Sequence, residues 1–184
     1  MKVTQAVKEA KQPFKILSGE NHTLKEPLVL VFGNRFALED GNLFSEVKEL
    51  FPGGHIVFGS TAGEIIEDSV RQGSVSLTAI EFEKCSFVIK NRNVSDIDDD
   101  HLLGEAILKE FPKEGLKHIF LISEGSSVNG SALIGGFEDA RINHIGLSGG
   151  LCGDDDRFER TLASYNESAK EGEIIAIGFY GESL

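Results

Sequence analysis

Apolar positions along this chain follow two rhythms, and the switches between them mark its elements. Leu28-Val29-Leu30-Val31-Phe32 is an unbroken apolar run. Such runs belong to strands covered on both faces. Residues 42–51 follow with helical spacing, since Leu43, Phe44, Val47, Leu50 and Phe51 share one face. Asp40 or Asn42 can cap this helix, and Pro52-Gly53-Gly54 ends it. Residues 56–58 make the next apolar strand. Residues 74–80 alternate polar and apolar, as a half-exposed strand does. Glu83-Lys84 turns the chain and residues 85–89 return it, which predicts an antiparallel pair. Asp98-Asp99-Asp100 opens a second helix, with carboxylates placed to cap free N–H groups and face the positive end of the dipole. Leu102, Leu103, Ala106, Ile107 and Phe111 form its apolar stripe, and Pro112 follows. The β-α-β rhythm then recurs as strand 119–122, a weaker helix 129–139 and strand 144–147. Residues 161–165 and 174–180 read as a closing hairpin.

This is the pattern of an α/β domain with a mixed β-sheet and flanking helices. An offset of 90 residues lays its two halves over one another. It carries Leu28 onto His118, Leu43 onto Leu133, Gly59 onto Gly149, Gly63 onto Gly153 and Glu64 onto Asp154. It also lays residues 74–89 over 164–179. Two related β-α-β-plus-hairpin halves, sharing one sheet or two packed sheets, would explain this order. The alternative is coincidence, because βαβ units recur widely. Residues 1–27 are mixed and mostly polar and read as an N-terminal segment; the domain proper spans 28–184.

Composition narrows the classes. A chain of 184 residues fits one domain or an integrated double unit. Hydrophobic residues make up 40% and charged residues 26%, as in globular proteins. The net charge of −12, without a Lys/Arg cluster, speaks against nucleic acid as a partner. No apolar run approaches the roughly 20 residues that span a bilayer, so no membrane association is expected. Cys85 and Cys152 form no CxxC pair and no disulfide framework. With no signal-peptide pattern at the start, the expected location is cytoplasmic.

Candidate chemistry concentrates in two glycine-flanked segments that follow apolar runs. They are Gly59-Ser60-Thr61-Ala62-Gly63-Glu64 and Gly149-Gly150-Leu151-Cys152-Gly153-Asp154-Asp155-Asp156. Each reads as a loop leaving the carboxyl end of a buried strand, where open α/β sheets bind ligands. Backbone N–H groups of residues 59–63 and 149–153 can receive an anionic group. Ser60 and Thr61 add hydroxyls, or bond their own turn. Glu64, Asp154 and Asp155 can accept an ammonium group. The aspartates are also a possible hard-cation site or a solvated acidic turn, and no second carboxylate run completes a metal site. The ligand-binding set is therefore Gly59, Ser60, Thr61, Gly63, Glu64, Gly149, Gly150, Gly153, Asp154 and Asp155, suited to a zwitterion such as an amino acid.

Gly146-Leu147-Ser148-Gly149-Gly150 fits G-x-S-x-G, the pattern of a nucleophile elbow. An elbow needs a helix directly after its serine and a histidine downstream. Here Gly153 and three aspartates follow, and His22, His55, His101, His118 and His144 all lie upstream. No phosphate loop of the G-x-x-x-x-G-K-[ST] type is present. Cys152, between glycines, reads as a small packed residue. No catalytic set emerges, and the expectation is a binding domain, not an enzyme.

Four motifs in order resemble the N-terminal domain of the FIST family, the F-box and intracellular signal transduction proteins. They are Val31-Phe32-Gly33; Pro52-Gly53-Gly54 with Val57-Phe58-Gly59-Ser60-Thr61-Ala62-Gly63-Glu64-Ile65; Leu121-Ile122-Ser123-Glu124-Gly125 with Asn129-Gly130; and Gly149-Gly150-Leu151-Cys152-Gly153-Asp154-Asp155 with Phe158 and Thr161. The resemblance covers roughly residues 28–184. It implies a small-ligand-binding sensory domain of intracellular signal transduction, with amino acids as suggested ligands. Some members bind haem and sense nitric oxide, which makes haem the alternative cofactor; a lone histidine would ligate it. The resemblance also implies a C-terminal FIST or effector domain as partner. The chain stops at Gly181-Glu182-Ser183-Leu184, as a segment of a longer protein or a standalone version would.

Overall fold

The computed structural model describes residues 1–9, 11–19, 23–66, 68–140 and 145–182. In chain order its elements are β1 (Lys2–Glu9), β2 (Lys15–Ser18), β3 (Leu28–Gly33), α1 (Arg35–Leu38), α2 (Leu43–Leu50), β4 (His55–Ser60), β5 (Glu64–Ile66), β6 (Ser69–Arg71), β7 (Ser74–Glu81), β8 (Ser86–Asn93), α3 (Asp100–Lys109), β9 (Leu116–Ser123), α4 (Gly130–Ala140), β10 (Gly146–Leu151), β11 (Ala163–Tyr165) and β12 (Glu173–Tyr180). A 3₁₀ turn at Val94–Asp96 precedes α3. Six strands form one mixed sheet in the order β11-β4-β3-β7-β1-β2. Four form a second, β10-β9-β12-β8, and β5 pairs with β6 alone.

Side-chain alternation fixes how the layers stack. On β3, Leu28, Leu30 and Phe32 face a shared interior with Phe120 and Ile122 of β9 and Ile175 and Ile177 of β12. The intervening Val29 and Val31 face Leu43 and Val47 of α2. On the other sheet, Ile119, Leu121, Ile174 and Ala176 face Leu103 and Ile107 of α3 and Leu133 and Phe137 of α4. The molecule is therefore a helix–sheet–sheet–helix sandwich. The central strands are buried on both faces, which is why their sequences are unbroken apolar runs.

The helices α2, α3 and α4 begin within two residues of where the sequence indicates, whereas the single turn α1 was not expected. Asp99 Oδ1 accepts from the N–H groups of His101 and Leu102 at 2.9 and 3.0 Å, capping α3. The expected stripes need two corrections. Leu102 is 52% exposed and Leu50 is 43% exposed, because α3 and α2 each pack against a single layer. α3 and α4 touch backbone to backbone at their glycines. A Cβ on Gly104 would lie 2.3 Å from Leu133 O, and one on Gly136 only 1.9 Å from His101 O.

The duplicated order is present, but its hairpins are not. β4-β3-β7-β1 and β10-β9-β12-β8 have the same connectivity and the same strand senses: β3 is parallel to β4 as β9 is to β10, and β7 and β12 run antiparallel to them. β1 pairs antiparallel with β7 as β8 does with β12, each over eight residues. The predicted pairing of residues 74–80 with 85–89 is overturned, since β7 and β8 lie in different sheets. Their short connection is an arch between layers, with Phe82 packed edge-on against Phe87 and Phe179. The predicted closing hairpin fails likewise: β11 joins β4, and β12 lies in the other sheet. Nor is the first stretch merely an N-terminal segment, because β1 is an interior strand between β7 and β2. Keeping the 90-residue spacing on β3 and β9, which preserves the facing of their side chains, register sets His55 against Gly146 and Gly59 against Gly150. The second half thus gains one residue between β9 and β10, and the glycine segments correspond one position away from the constant offset.

Candidate functional site

The parallel strands of both sheets end side by side, at Gly33 and Ser60 in one and at Ser123 and Leu151 in the other. Their exit loops meet. Gly153 N–H donates to Ser60 O at 2.8 Å, Thr61 N–H to Gly33 O at 3.0 Å and Cys152 N–H to Ser123 O at 2.7 Å. Leu162 N–H donates to Ser60 Oγ at 2.9 Å. Both glycine segments are therefore in contact, but backbone on backbone: a Cβ on Gly153 would lie 3.2 Å from the nitrogen of Ala62. The outline of each segment also differs from a simple loop. Gly59 and Ser60 belong to β4, Glu64 to β5, and Gly149 and Gly150 to β10.

Asp154 is the centre of an ion network on this platform. Its Oδ1 accepts from Arg35 Nε at 2.8 Å and Arg157 Nε at 3.0 Å. Its Oδ2 accepts from the N–H groups of Glu159 and Arg160 at 3.2 and 3.3 Å. Burial pushes this carboxyl up, but the two guanidiniums and two N–H groups outweigh it and hold it at about 2. Asp155 Oδ2 accepts from Asn34 Nδ2 at 2.7 Å and lies 2.9 Å from Arg157 Nη2. Arg35 also reaches Glu159 at 2.8 Å and Glu39 at 3.2 Å. Phe36 lies against both Arg35 and Arg157, their guanidinium carbons 4.5 and 4.7 Å from its ring centre. Asp154 and Asp155 are thus each paired with cations, while the turn as a whole keeps more carboxylates than guanidiniums.

Two more buried carboxylates hold the loops. Glu64 accepts from Thr61 Oγ1 at 2.7 Å and from the hydroxyl and N–H of Ser74 at 2.5 and 3.3 Å. Gly63 directly precedes Glu64, and a Cβ there would lie 3.4 Å from Arg71 O. Glu124 follows β9 as Asn34 follows β3. Its carboxylate accepts from the N–H groups of Ser126, Ser127 and Val128 and from the hydroxyls of Ser127 and Thr161. Burial raises this carboxyl, yet the Ser127 and Ser126 donors prevail and it lies below its ordinary value. Asn34 does the same on a smaller scale, accepting from Phe36 N–H at 3.1 Å.

An open space lies beside this platform. A groove of about 750 Å³ runs between the outer strand β10 and the first half of α4. Leu121, Val128 and Leu133 form its apolar floor, Gly149, Gly150 and Leu151 one wall, and Asn129, Gly130 and Ser131 the other. It occupies the carboxyl ends of two parallel strands, as ligand sites in open α/β sheets do. Gly149 shapes it. With φ at +143°, a Cβ there would lie 2.1 Å from Leu121 O.

The histidines have neighbours of their own. His55 Nδ1 lies 2.7 Å from the Tyr165 hydroxyl, and His101 Nε2 3.0 Å from Asp139. His22 and His144 lie outside the described residues. His118 Nε2 is 2.7 Å from Ser148 Oγ. The serine of the G-x-S-x-G match stands inside strand β10, not on a strand-to-helix turn. Burial, with Glu124's charge adding to it, pushes the Cys152 thiol up to about 12 against the contrary effect of the Ser60 backbone. Among the described residues, no three or more His, Cys, Asp or Glu side chains converge as a metal site. Among them, too, no helix is long and apolar enough to cross a membrane.

Sequence reasoning missed Arg35, Arg157, Glu124 and the α4 wall. Two signals were available. Arg157 directly follows the three aspartates and Arg160 comes three residues later, in a chain with only 18 Lys and Arg. Glu124 precedes Ser126-Ser127 at a strand exit, where a carboxylate can collect turn N–H groups.

No curated protein matches this chain. The family model described as FIST N domain matches residues 27–184, which contain both exit-loop platforms and the groove. The chain belongs to the FIST N domain family, a domain associated with signal transduction.

Proposed function

We propose that this domain is a small-ligand sensor and that its ligand carries a carboxylate, with amino acids the leading class. The groove between β10 and α4 carries the proposal. It joins an apolar floor to a helix start. The first N–H groups of a helix lack intrahelical acceptors, and the dipole there favours an anion. Asn129 Oδ1 already accepts from Ala132 N–H at 3.1 Å and Asp100 Oδ2 from Asn129 N–H at 2.8 Å, so the donors left for a ligand are the N–H groups of Gly130 and Ser131. A carboxylate would dock at Gly130 and Ser131, and an apolar side chain would rest on Leu121, Val128 and Leu133. Gly149 and Gly150 keep the role of ligand wall. Gly59, Ser60, Thr61, Gly63, Glu64, Gly153, Asp154 and Asp155 act as the platform that fixes that wall, their polar atoms being engaged with one another and with Arg35, Asn34, Ser74 and Arg157.

Calorimetry of the protein against a panel of the common amino acids tests this. At least one should bind. Ser131→Asp should weaken it tenfold or more, because the new carboxylate repels the ligand's. The same change complements the helix dipole, so the thermal midpoint should hold or rise. Silence from the whole panel, or binding indifferent to Ser131→Asp, would end this reading.

A further inference from the structure

The two sheets share a core of four strands but finish their edges differently. In the first, β11 pairs antiparallel along β4, with Ala163 opposite Gly59, Ser164 opposite Phe58 and Tyr165 opposite Val57. The matching positions of the second sheet are Gly150, Gly149 and Ser148 of β10. Among the described residues no strand pairs with their outer side. Ser148 to Leu151 are exposed.

Exposed strand edges invite another strand, and chains usually guard them with charge. The opposite edge of this sheet is guarded: β8 carries Lys90 and Arg92. β10 reads Gly-Leu-Ser-Gly-Gly-Leu, with no charge and no proline. Facing is also informative. Leu147 packs with the helix-side core, so Gly149, two residues on, faces the same side and borders the groove. A residue placed opposite Gly149 would send its side chain toward Val128, Leu133 and Leu151.

We propose that β10 is a docking edge for an extended strand of another protein, added antiparallel as β11 is added to β4. The central side chain of that strand is apolar and enters the groove; its flanks are neutral or basic. The net charge of −12 opposes a second copy of this chain and favours such a partner. Main-chain hydrogen bonds supply affinity and the groove supplies selectivity. This goes beyond the ligand reading, and its test contains no amino acid.

The probe is Ac-Lys-Thr-Thr-Val-Thr-Thr-Lys-NH2, titrated into the isotope-labelled chain and followed by backbone amide shifts. Shifts should concentrate at residues 147–151 and 128–134. Binding should fall at least tenfold when the central valine is N-methylated, which keeps the side chain but removes a main-chain donor. It should fall likewise in Gly150→Lys, a substitution with open space around its Cβ. Gly41→Lys, equally unhindered and of equal charge, should bind as the parent does. Absence of shifts to millimolar peptide overturns the proposal. So does binding insensitive to N-methylation, which would make the peptide a groove ligand only. A concentration-dependent dimer lost in Gly150→Lys would assign the edge to a second copy instead.

Discussion

Arg35 Nε and Asp154 Oδ1 lie 2.8 Å apart, with both side chains almost wholly removed from water, across a separation of 119 residues. The contact ties the first residue of α1 to the loop after β10, and so ties one half of the repeat to the other. Removing Asp154 takes the one fully buried carboxylate from Arg35 and leaves it only the more exposed Glu39 and Glu159, and breaking a buried pair is costly. Asp154→Ala should therefore cost about 3–5 kcal/mol in urea unfolding. A loss under about 1 kcal/mol would mean that the network is solvated and incidental.

The same carboxylate sets an acid limit. Its folded value of about 2 lies below the ordinary 3.8. A depressed carboxylate gives stability that is fully present above the unfolded value and fades as pH falls through the folded one. Stability should therefore decline as pH drops from about 4 to about 2, with Glu124 contributing in the same direction. Asp154→Asn should start lower at neutral pH and fall less over that window. An equally steep decline in the variant would place the acid sensitivity elsewhere.

Adjacent glycines on β10 should behave oppositely. A methyl at Gly149 meets Leu121 O at 2.1 Å on a backbone with φ at +143°, whereas one at Gly150 meets nothing within 4 Å. Gly149→Ala should cost upwards of about 2 kcal/mol, from overpacking and strain together. Gly150→Ala should stay within about 0.5 kcal/mol of the parent. Thermal and urea unfolding of the pair decide this, and equal losses would show that the β9–β10 ladder yields at little cost.

What was legible in the sequence was whatever local periodicity determines. Leu28–Gly33 reads correctly because burial on both faces leaves no polar position. The capped start of α3 reads correctly because Asp99 caps through a local bond, whereas α2 starts at the expected place without the expected cap: the Asn42 side chain bonds no helix N–H, and Asp40 Oδ1 accepts only from Asn42 N–H. Pairing was not legible. A short turn between two alternating runs predicts a hairpin, yet Phe82, Phe87 and Phe179 pack between the sheets and send β8 to the second. β1 was missed because Lys2, Gln5, Lys8 and Glu9 dilute its few apolar residues. At the site, the glycine segments marked the right end of the strands. Their polar side chains face Arg35, Asn34, Ser74 and Arg157, and contacts between residues so distant in the chain leave no periodic trace.

The final prediction concerns the seam between the glycine segments, where Cys152 can report on opening. Its thiol is held at about 12 by burial, with Glu124 nearby, and its N–H is fixed to Ser123 O at 2.7 Å. The thiolate is the reactive form, so at pH 8 only roughly one molecule in ten thousand can react. In Cys85→Ser, which leaves Cys152 as the sole thiol, a disulfide reagent such as DTNB should react slowly with native protein and fully in denaturant. The native rate should rise in Asp154→Ala, because the loop after β10 then loses its anchor to Arg35. Rapid labelling of the native Cys85→Ser protein at pH 8 would mean that the seam opens freely. A rate unchanged by Asp154→Ala would mean that the ion network and the seam are mechanically separate.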